Sequence, residues 1–532
     1  MKATKNAYRS LRACAGLLRE KGLLVRVSPA TAEDRAIESL CYDSREARAG
    51  ALFLCKGARF SAEYLTRALA AGARAYVSEI EYAGVPAPAL IVSDIRAALA
   101  VLANGYYGEI WRALKLAGVT GTKGKSTTVS YLKAILDDMQ AARHGMPAAI
   151  LSGIENYDGV IREESHLTTP ETLELHRHFQ NAVESGMEYM VMEVSSQALK
   201  YDRTLGLRFD AACFLNIGED HISDIEHADF EDYFSSKLKI FRQCDAVCVN
   251  ADAAEAARIA KAAKACPRVL RFGFSEGADL RAVDIRPSGT GFAFRTESRT
   301  AALSGVDFEI GMPGYFNMEN ALAAIALAHF LRVPVPYIRA GLAAARVAGR
   351  MELFRGADGR IVIVDYAHNK LSFETLFKSV RRAYAGRRIG IVFGCPGGKA
   401  LGRRRELGVL AGEHADFIYL TEEDAGEEDA LDICREIAAH AAPFGRPCRI
   451  VPDREEAIRA ALAEADARTV LLITGKGRET RQKRGRVYVD TPSDVAYVER
   501  YLDSPASYSS SSEQSSASSA SSSKGYTEAS SG

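Results

Sequence analysis

Short continuous apolar runs recur along most of this chain, and Ala-rich stretches of helical spacing separate them. In the first hundred residues, 51–55 (ALFLC), 75–77 and 89–92 (ALIV) read as buried strands. Residues 61–71 between them carry the apolar period of a helix. The opening MKATKNAYRSLRACAGLLREKG reads as a basic amphipathic helix without the apolar centre of a signal peptide. Further on, 114–119 is apolar and runs into a Gly-rich turn, and 127–138 continues as a helix. Residues 189–194 (YMVMEV) and 211–217 (AACFLNI) predict buried strands, and 320–331 (NALAAIALAHFL) predicts a buried helix. A third set of strands follows at 361–365, 389–393, 417–420 and 470–473, again alternating with helical stretches. Continuous apolar strands separated by helices predict parallel sheets covered on both faces.

This pattern divides the chain into three α/β domains, at 1–113, 114–348 and 349–503. The central one is a P-loop domain with a parallel sheet, and the last is Rossmann-like. From residue 504 onward the Ser-rich sequence has almost nothing apolar to bury, and a disordered tail over 504–532 is expected.

Composition adds bounds. The 532 residues are too many for one compact domain, and roughly 150 residues per domain predicts three or four. Sixty-eight basic residues meet sixty-eight acidic ones. Zero net charge excludes bulk attraction to nucleic acid or to an anionic membrane. The ten cysteines form no CxxC pair, which argues against a zinc ribbon or a disulfide framework and for reduced thiols. No apolar run approaches the ~20 residues that span a bilayer. A soluble, cytoplasmic protein is expected, with no nucleic-acid partner and no membrane insertion.

The strongest chemistry lies at Gly118-Val119-Thr120-Gly121-Thr122-Lys123-Gly124-Lys125-Ser126-Thr127. A strand, a Gly-rich turn and a helix let backbone N–H groups and the positive helix end meet a phosphate. Lys125 supplies a charge for the β/γ-phosphates, and Ser126 a hydroxyl for Mg²⁺. Val119 stands where the standard G-x₄-GK[ST] spacing has its first glycine. The loop by itself indicates a nucleoside triphosphate and no more.

In the form TGTKGKST the loop resembles that of the Mur ligases, which build the peptide stem of the bacterial cell wall. The resemblance continues on both sides. It takes in Asp43-Ser44-Arg45 with Gly50-x-Leu52-Phe53 and Lys56-Gly57, then Thr168-Thr169-Pro170, and Met192-Glu193-Val194-Ser195-Ser196. It goes on through Asn216 with Asp220-His221, Glu231-Asp232-Tyr233-x-x-x-Lys237, and Gly314-x-Phe316-Asn317-x-x-Asn320. Gly349-Arg350-Met351-Glu352, Asp365-Tyr366-Ala367-His368 and Gly475-Lys476-Gly477 complete it. Within the family the pattern is most similar to the tripeptide-synthetase (MurE-type) branch, which adds the third amino acid of the stem.

The resemblance implies an ADP-forming ligase of peptidoglycan synthesis, working as a monomer on ATP, Mg²⁺, a UDP-muramoyl-dipeptide and an amino acid. It implies an N-terminal uridine-nucleotide domain, with Ser44, Thr168, Thr169, Ser195 and Arg203 holding the nucleotide dipeptide. Gly121, Thr122, Lys123, Gly124, Lys125, Ser126 and Thr127 would cradle ATP. Asn317 and Asn320 would approach its adenine, and Arg350 and Asp365 would reach its phosphates and ribose as the third domain closes. Glu193, ending an apolar strand at the crevice of an open sheet, and His221 would join Ser126 as Mg²⁺ ligands. Lys237 would be carbamylated, turning a cation into an anion for a second Mg²⁺; spacing alone reads it as a surface lysine. Lys125, Lys237 and His221 are thereby the catalytic candidates.

The amino acid is where the chain departs from the best-known pattern. Diaminopimelate-adding enzymes carry Asp-Asn-Pro-Arg in the third domain; here Glu423-Asp424-Ala425-Gly426 aligns with it, and Gly426 replaces the arginine. The acidic run from Glu422 to Asp429 suits a side-chain ammonium, so L-lysine is expected over meso-diaminopimelate, with ornithine as an alternative and a plain solvated loop as the bland reading. Arg404 aligns with an arginine that meets the α-carboxylate, and Gly475 and Glu479 complete the expected amino-acid site. Arg478 and Gln197 stand where the family often has histidine. Folylpolyglutamate synthetase is a rival that should lack the first domain. A non-catalytic Mur-like nucleotide-binding protein should have lost Lys125, Glu193, His221 or Lys237, and all are present.

Overall fold

The computed structural model describes residues 8–57, 60–165, 167–219, 222 and 226–502. His221 and the expected Ser-rich tail lie outside them. Three sheets organise the described chain, at residues 24–92, 115–310 and 352–474.

The first has five strands in the order Leu24–Ser28, Ala89–Val92, Ala75–Ser78, Ala51–Leu54, Ser39–Cys41. All neighbours are parallel except Leu24–Ser28, an antiparallel edge. Fully buried inner strands explain their unbroken apolar sequence. Helices Leu11–Glu20 and Ile95–Tyr106 cover one face through Leu18, Leu52, Val77 and Leu99. Helix Ala62–Ala70 covers the other, placing Leu65 beside Phe53 and Tyr76.

The central sheet has eleven strands. Lys115–Thr120 runs in its middle, parallel to Tyr189–Glu193 on one side and Ala211–Phe214 on the other. Glu193 pairs with Val119, and Phe214 with Thr120. The register therefore delivers the Gly-rich turn, the Glu193 carboxylate and the segment after Phe214 to one end of the sheet, where open α/β sheets bind ligands. The strands from Ala246–Asn250 to Val306–Ile310 extend the sheet and were not expected. Leu280–Ser288 and Gly291–Ser298 among them form an antiparallel pair with one polar, exposed face. Helix Tyr315–Phe330, buried along most of its length, packs against the phosphate-loop helix Lys125–Ala142 and starts earlier than its apolar run.

The third sheet has six strands in the order Glu352–Arg355, Ile361–Asp365, Thr469–Thr474, Arg388–Phe393, Phe417–Leu420, Cys448–Ile450. Only the first is antiparallel to its neighbour. A separate hairpin, Arg481–Arg484 with Val487–Asp490, follows it. No helix among the described residues is long and apolar enough to cross a membrane.

Candidate active site

The phosphate loop is held by the segment that follows the neighbouring strand Ala211–Phe214. Asn216 Oδ1 accepts from the Lys123 amide at 2.8 Å, its Nδ2 donates to the Lys123 carbonyl at 3.1 Å, and its own carbonyl accepts from the Thr122 amide at 3.1 Å. Asn216 is the clamp of the loop. Gly124 opens helix Lys125–Ala142 at φ +85°, and a Cβ there would sit 2.2 Å from Asn320 Oδ1, so only glycine fits. No side chain caps this helix, which leaves its first N–H groups for a ligand.

Lys125 Nζ donates to the carbonyls of Gly121 and Thr122, at 2.9 and 3.2 Å. Lys237, on helix Phe230–Leu238, is 1% exposed and donates to the same Gly121 carbonyl at 3.0 Å. Its Nζ lies 4.7 Å from the centre of the Tyr233 ring, and the Tyr233 hydroxyl is 3.0 Å from Thr122 Oγ1. The surface-lysine reading is thereby excluded.

Glu193 is buried at the end of its strand and accepts from the Gly153 amide at 2.7 Å. A methyl group on Gly153 would lie 3.6 Å from Glu193 Oε1, 3.7 Å from Thr168 Oγ1 and 3.9 Å from Ser126 Oγ. One carboxylate and two hydroxyls thus converge beside the phosphate loop. Among the described residues no group of three His, Cys, Asp or Glu forms a cage. A few hard oxygen donors next to a phosphate site are the donor set that Mg²⁺ takes when phosphates complete its shell.

The backbone face of the same strand end meets a second constellation. Thr169 Oγ1 donates to the Glu193 carbonyl at 3.0 Å and accepts from the Ser195 amide at 3.0 Å. Arg203 donates to the Thr169 carbonyl at 3.0 Å and pairs with Glu171 at 2.6 Å. Lys56, from the first sheet's domain, reaches the other oxygen of Glu171 and lies 4.0 Å from the centre of the Tyr42 ring. Burial would raise the Glu171 carboxyl, yet Arg203 and Lys56 hold it below the ordinary range. Thr169, Ser195 and Arg203 therefore come together, Thr168 turns toward the phosphate loop, and Ser44 lies half-buried in the turn after Ser39–Cys41. Sequence reasoning missed Glu171, although it directly follows the Thr-Thr-Pro motif.

Across a cavity of about 580 Å³ the third domain presents Arg350 and Asp365. Asp365 accepts from the Met351 and Ala367 amides at 2.9 and 2.8 Å. Burial raises its carboxyl, against the pull of Arg350 and of Lys123 from the phosphate loop. Arg350 lies 4.5 Å from the centre of the Tyr366 ring.

The acidic run is largely neutralised by the chain's own cations. Glu422 pairs with Arg484 at 2.6 Å, Glu427 with Arg486 at 2.7 Å, and Glu428 with Arg404 at 2.8 Å. Arg404 also pairs with Glu436, at 2.7 Å. Asp424 meets Lys476 at 3.0 Å, and Lys476 reaches Glu479 at 2.5 Å; Tyr366 donates to the other oxygen of Glu479. Glu423 differs. It is buried, its Oε2 has no hydrogen-bond partner among the described residues, and a Cβ on Gly475 would be 2.2 Å from that oxygen. Burial pushes its carboxyl up to about 8, although Arg454 and Lys476 pull the other way. Glu423, Asp424, Gly475 and Glu479 are thus brought together around Lys476.

Residues 119–328 match the Mur ligase middle domain family, and residues 349–477 the Mur ligase, glutamate ligase domain family. The UDP-N-acetylmuramyl-tripeptide synthetase of Lactobacillus delbrueckii subsp. bulgaricus is 38% identical over 505 residues, 91% of this chain and 96% of that protein. The UDP-N-acetylmuramoyl-L-alanyl-D-glutamate--L-lysine ligase of Enterococcus faecalis is 36% identical over 478 residues, 89% of this chain and 93% of that protein. A solved structure of a UDP-N-acetylmuramoyl-L-alanyl-D-glutamate--2,6-diaminopimelate ligase matches with a TM-score of 0.62 at 25% identity, covering 88% of this chain and 95% of that one.

Proposed function

This chain belongs to the Mur ligase family, and we propose that it is the ATP-dependent ligase that joins L-lysine to UDP-N-acetylmuramoyl-L-alanyl-D-glutamate. The observation that carries this reading is the double use of Glu193. Its carboxylate faces the phosphate loop, while its carbonyl is gripped by Thr169 of the cluster with Ser195 and Arg203. A phosphoryl donor and a carboxylate acceptor held on the two sides of one strand end are positioned for transfer.

The reaction follows from that placement. The terminal carboxylate of the nucleotide dipeptide takes the γ-phosphoryl group of ATP and ADP leaves. The amine of the amino acid then attacks the acyl phosphate, and the tetrahedral intermediate collapses with release of phosphate. Lys125 and the uncapped helix end meet the charge of the transferring phosphoryl group. Glu193 and Ser126, with Thr168 beside them, would hold Mg²⁺, which when bound neutralises phosphate charge. Lys237 is assigned as a carbamylated lysine; its burial against the loop supports a role there. Arg350 and Asp365 reach the nucleotide from the third domain, which excludes water from the acyl phosphate on closure.

L-lysine as the incoming amino acid rests on Glu423. Gly426 offers no cation for a second carboxylate, and Asp424 is engaged by Lys476. Glu423 alone in this cluster keeps a buried carboxyl oxygen without a partner among the described residues. A side-chain ammonium supplies what that oxygen lacks. These substrates assign the enzyme to the cytoplasm. The test is phosphate release by the purified protein with ATP, Mg²⁺ and UDP-muramoyl-dipeptide over a panel of amino acids. Release that depends on both the dipeptide and L-lysine is expected. Release indifferent to the dipeptide overturns the ligase reading, and a preference for meso-diaminopimelate overturns the choice of lysine.

A further inference from the structure

The turns that carry Glu423 and Lys476 leave the third sheet from strands that are not neighbours. Glu423 follows Phe417–Leu420, the Gly475-Lys476-Gly477 turn follows Thr469–Thr474, and strand Arg388–Phe393 lies between the two. The ladder of the sheet therefore does not join one turn directly to the other. Gly475 and Gly477 hold φ of +107° and +60°, a region that glycine enters freely, so the second turn has little stiffness of its own.

A buried ion pair spans the gap, from two helices that supply no residue to the amino-acid site described above. Arg454 opens helix Arg454–Glu464, and Asp494 opens helix Asp494–Tyr501. Both side chains are buried, and Arg454 Nε and Nη2 donate to the two carboxylate oxygens of Asp494 at 2.6 and 2.7 Å. The same guanidinium donates from Nη1 to the Glu422 carbonyl at 3.1 Å and from Nη2 to the Thr474 carbonyl at 2.7 Å. Asp494 Oδ2 accepts from the Gly477 amide at 3.0 Å. A cation in the first turn opposes the helix dipole, so its own helix gives no reason for Arg454 to stand there. A planar guanidinium with its donors in a fixed fork sets such distances more narrowly than an ammonium can.

Resting on the assignment of Glu423 to the lysine ammonium, we propose that Arg454 and Asp494 are positioning residues for the incoming amino acid, holding the Glu422–Glu423 turn at a set distance from the Gly475–Gly477 turn. Gly475 shows how close that setting is, since a Cβ there would lie 2.2 Å from Glu423 Oε2. The pair also acts through charge. Burial raises the Glu423 carboxyl and Asp424 adds to it, while Arg454, Lys476 and Arg403 oppose them; Tyr366 and Cys395 are the other titratable groups that feel Glu423. Removing Arg454 takes away one opposing cation. Neutralising Asp494 leaves that cation less balanced, so the two changes act on Glu423 with opposite sign.

Steady-state kinetics of the full-length protein with ATP, Mg²⁺, UDP-muramoyl-dipeptide and L-lysine test this on Arg454→Met, Arg454→Lys, Asp494→Asn and the double variant Arg454→Met with Asp494→Leu. The double variant fills the space with apolar side chains and leaves no buried charge unpaired, so it keeps the test open if Arg454→Met does not fold. In the double variant and in Asp494→Asn the KM for L-lysine should rise about tenfold, the equivalent of one hydrogen bond to a charged group, with the KM for ATP and for the dipeptide held. Arg454→Lys, which keeps the charge without the fork, should fall between these and the wild type. The acid limb of kcat/KM for L-lysine should move to higher pH in Arg454→Met and to lower pH in Asp494→Asn. A general loss of packing weakens all three substrates together and does not move the limb in opposite directions. Equal rises in the three KM values, an unchanged KM for L-lysine in the double variant, limbs that shift the same way, or failure of every variant to fold overturns the assignment. A wild type that prefers another amino acid overturns the reading of Glu423 alone, and the same split of KM values, measured with that amino acid, then decides the role of the pair.

Discussion

Lys125 and Lys237 share one acceptor: both ammonium groups donate to the carbonyl oxygen of Gly121, at 2.9 and 3.0 Å. Two like charges on one carbonyl repel, and Lys237 is buried, where water screens little. The loop therefore carries more positive charge than one carbonyl balances, which suits a bound triphosphate and gives the two lysines different expected roles.

Lys125→Ala should abolish ligation while the protein stays folded. Lys125 is the loop cation at the helix start, and loss of one preorganised charge-stabilising donor typically costs about 10²–10³ in turnover. Phosphate release and a native circular dichroism spectrum check the two halves of this expectation. Normal turnover in the variant would remove Lys125 from the site.

Lys237→Ala should be nearly inactive and should recover in part when formate or acetate is added. Carbamylation removes one of the two like charges and supplies an anion, and a small carboxylate restores that anion. An alanine variant with wild-type Mg²⁺ dependence and no rescue would return Lys237 to a packing role.

L-lysine should exceed meso-diaminopimelate in kcat/KM by at least about tenfold. An ammonium hydrogen-bonded to a buried carboxylate contributes roughly 1.5–3 kcal/mol, about ten- to a hundredfold. Glu423→Gln should take most of that preference. Asp424→Asn, acting through Lys476, should take less, and the double variant should not exceed their product. Full lysine use by the double variant would reduce the acidic run to a solvated loop.

Stability of the substrate-free protein should fall with rising pH through Glu423. The unfolded chain releases this proton near 4.5 and the folded chain near 8, so between those values only the folded state holds it. The contribution is full below 4.5 and lost as pH rises through 8. Glu319, raised to about 7, adds in the same direction. Melting temperatures from pH 5 to 9 should decline less steeply in Glu423→Gln than in the wild type. Parallel profiles would show that Glu423 is ionised in the folded state.

The sequence by itself determined the local constructions. The strand, glycine turn and helix around Gly121–Ser126 are contiguous, so spacing alone specified the phosphate site. The strands Ile361–Asp365 and Phe417–Leu420 were legible because both of their faces are covered and their sequence is unbroken apolar. The half-exposed pair Leu280–Ser288 and Gly291–Ser298 was not, because Arg281, Asp284, Arg286, Arg295 and Glu297 interrupt the apolar positions and hide the strands from a search for apolar runs. Tertiary structure decided what depends on removal from water and on distant partners. Nothing near Lys237 in the chain announces its burial against Gly121, and nothing in the run from Glu422 to Asp429 says which carboxylates are engaged. Arg484, Lys476, Arg486 and Arg404 take four of them and leave Glu423 with an unpartnered oxygen among the described residues, because desolvation and ion pairing are set by the folded neighbourhood and not by sequence spacing.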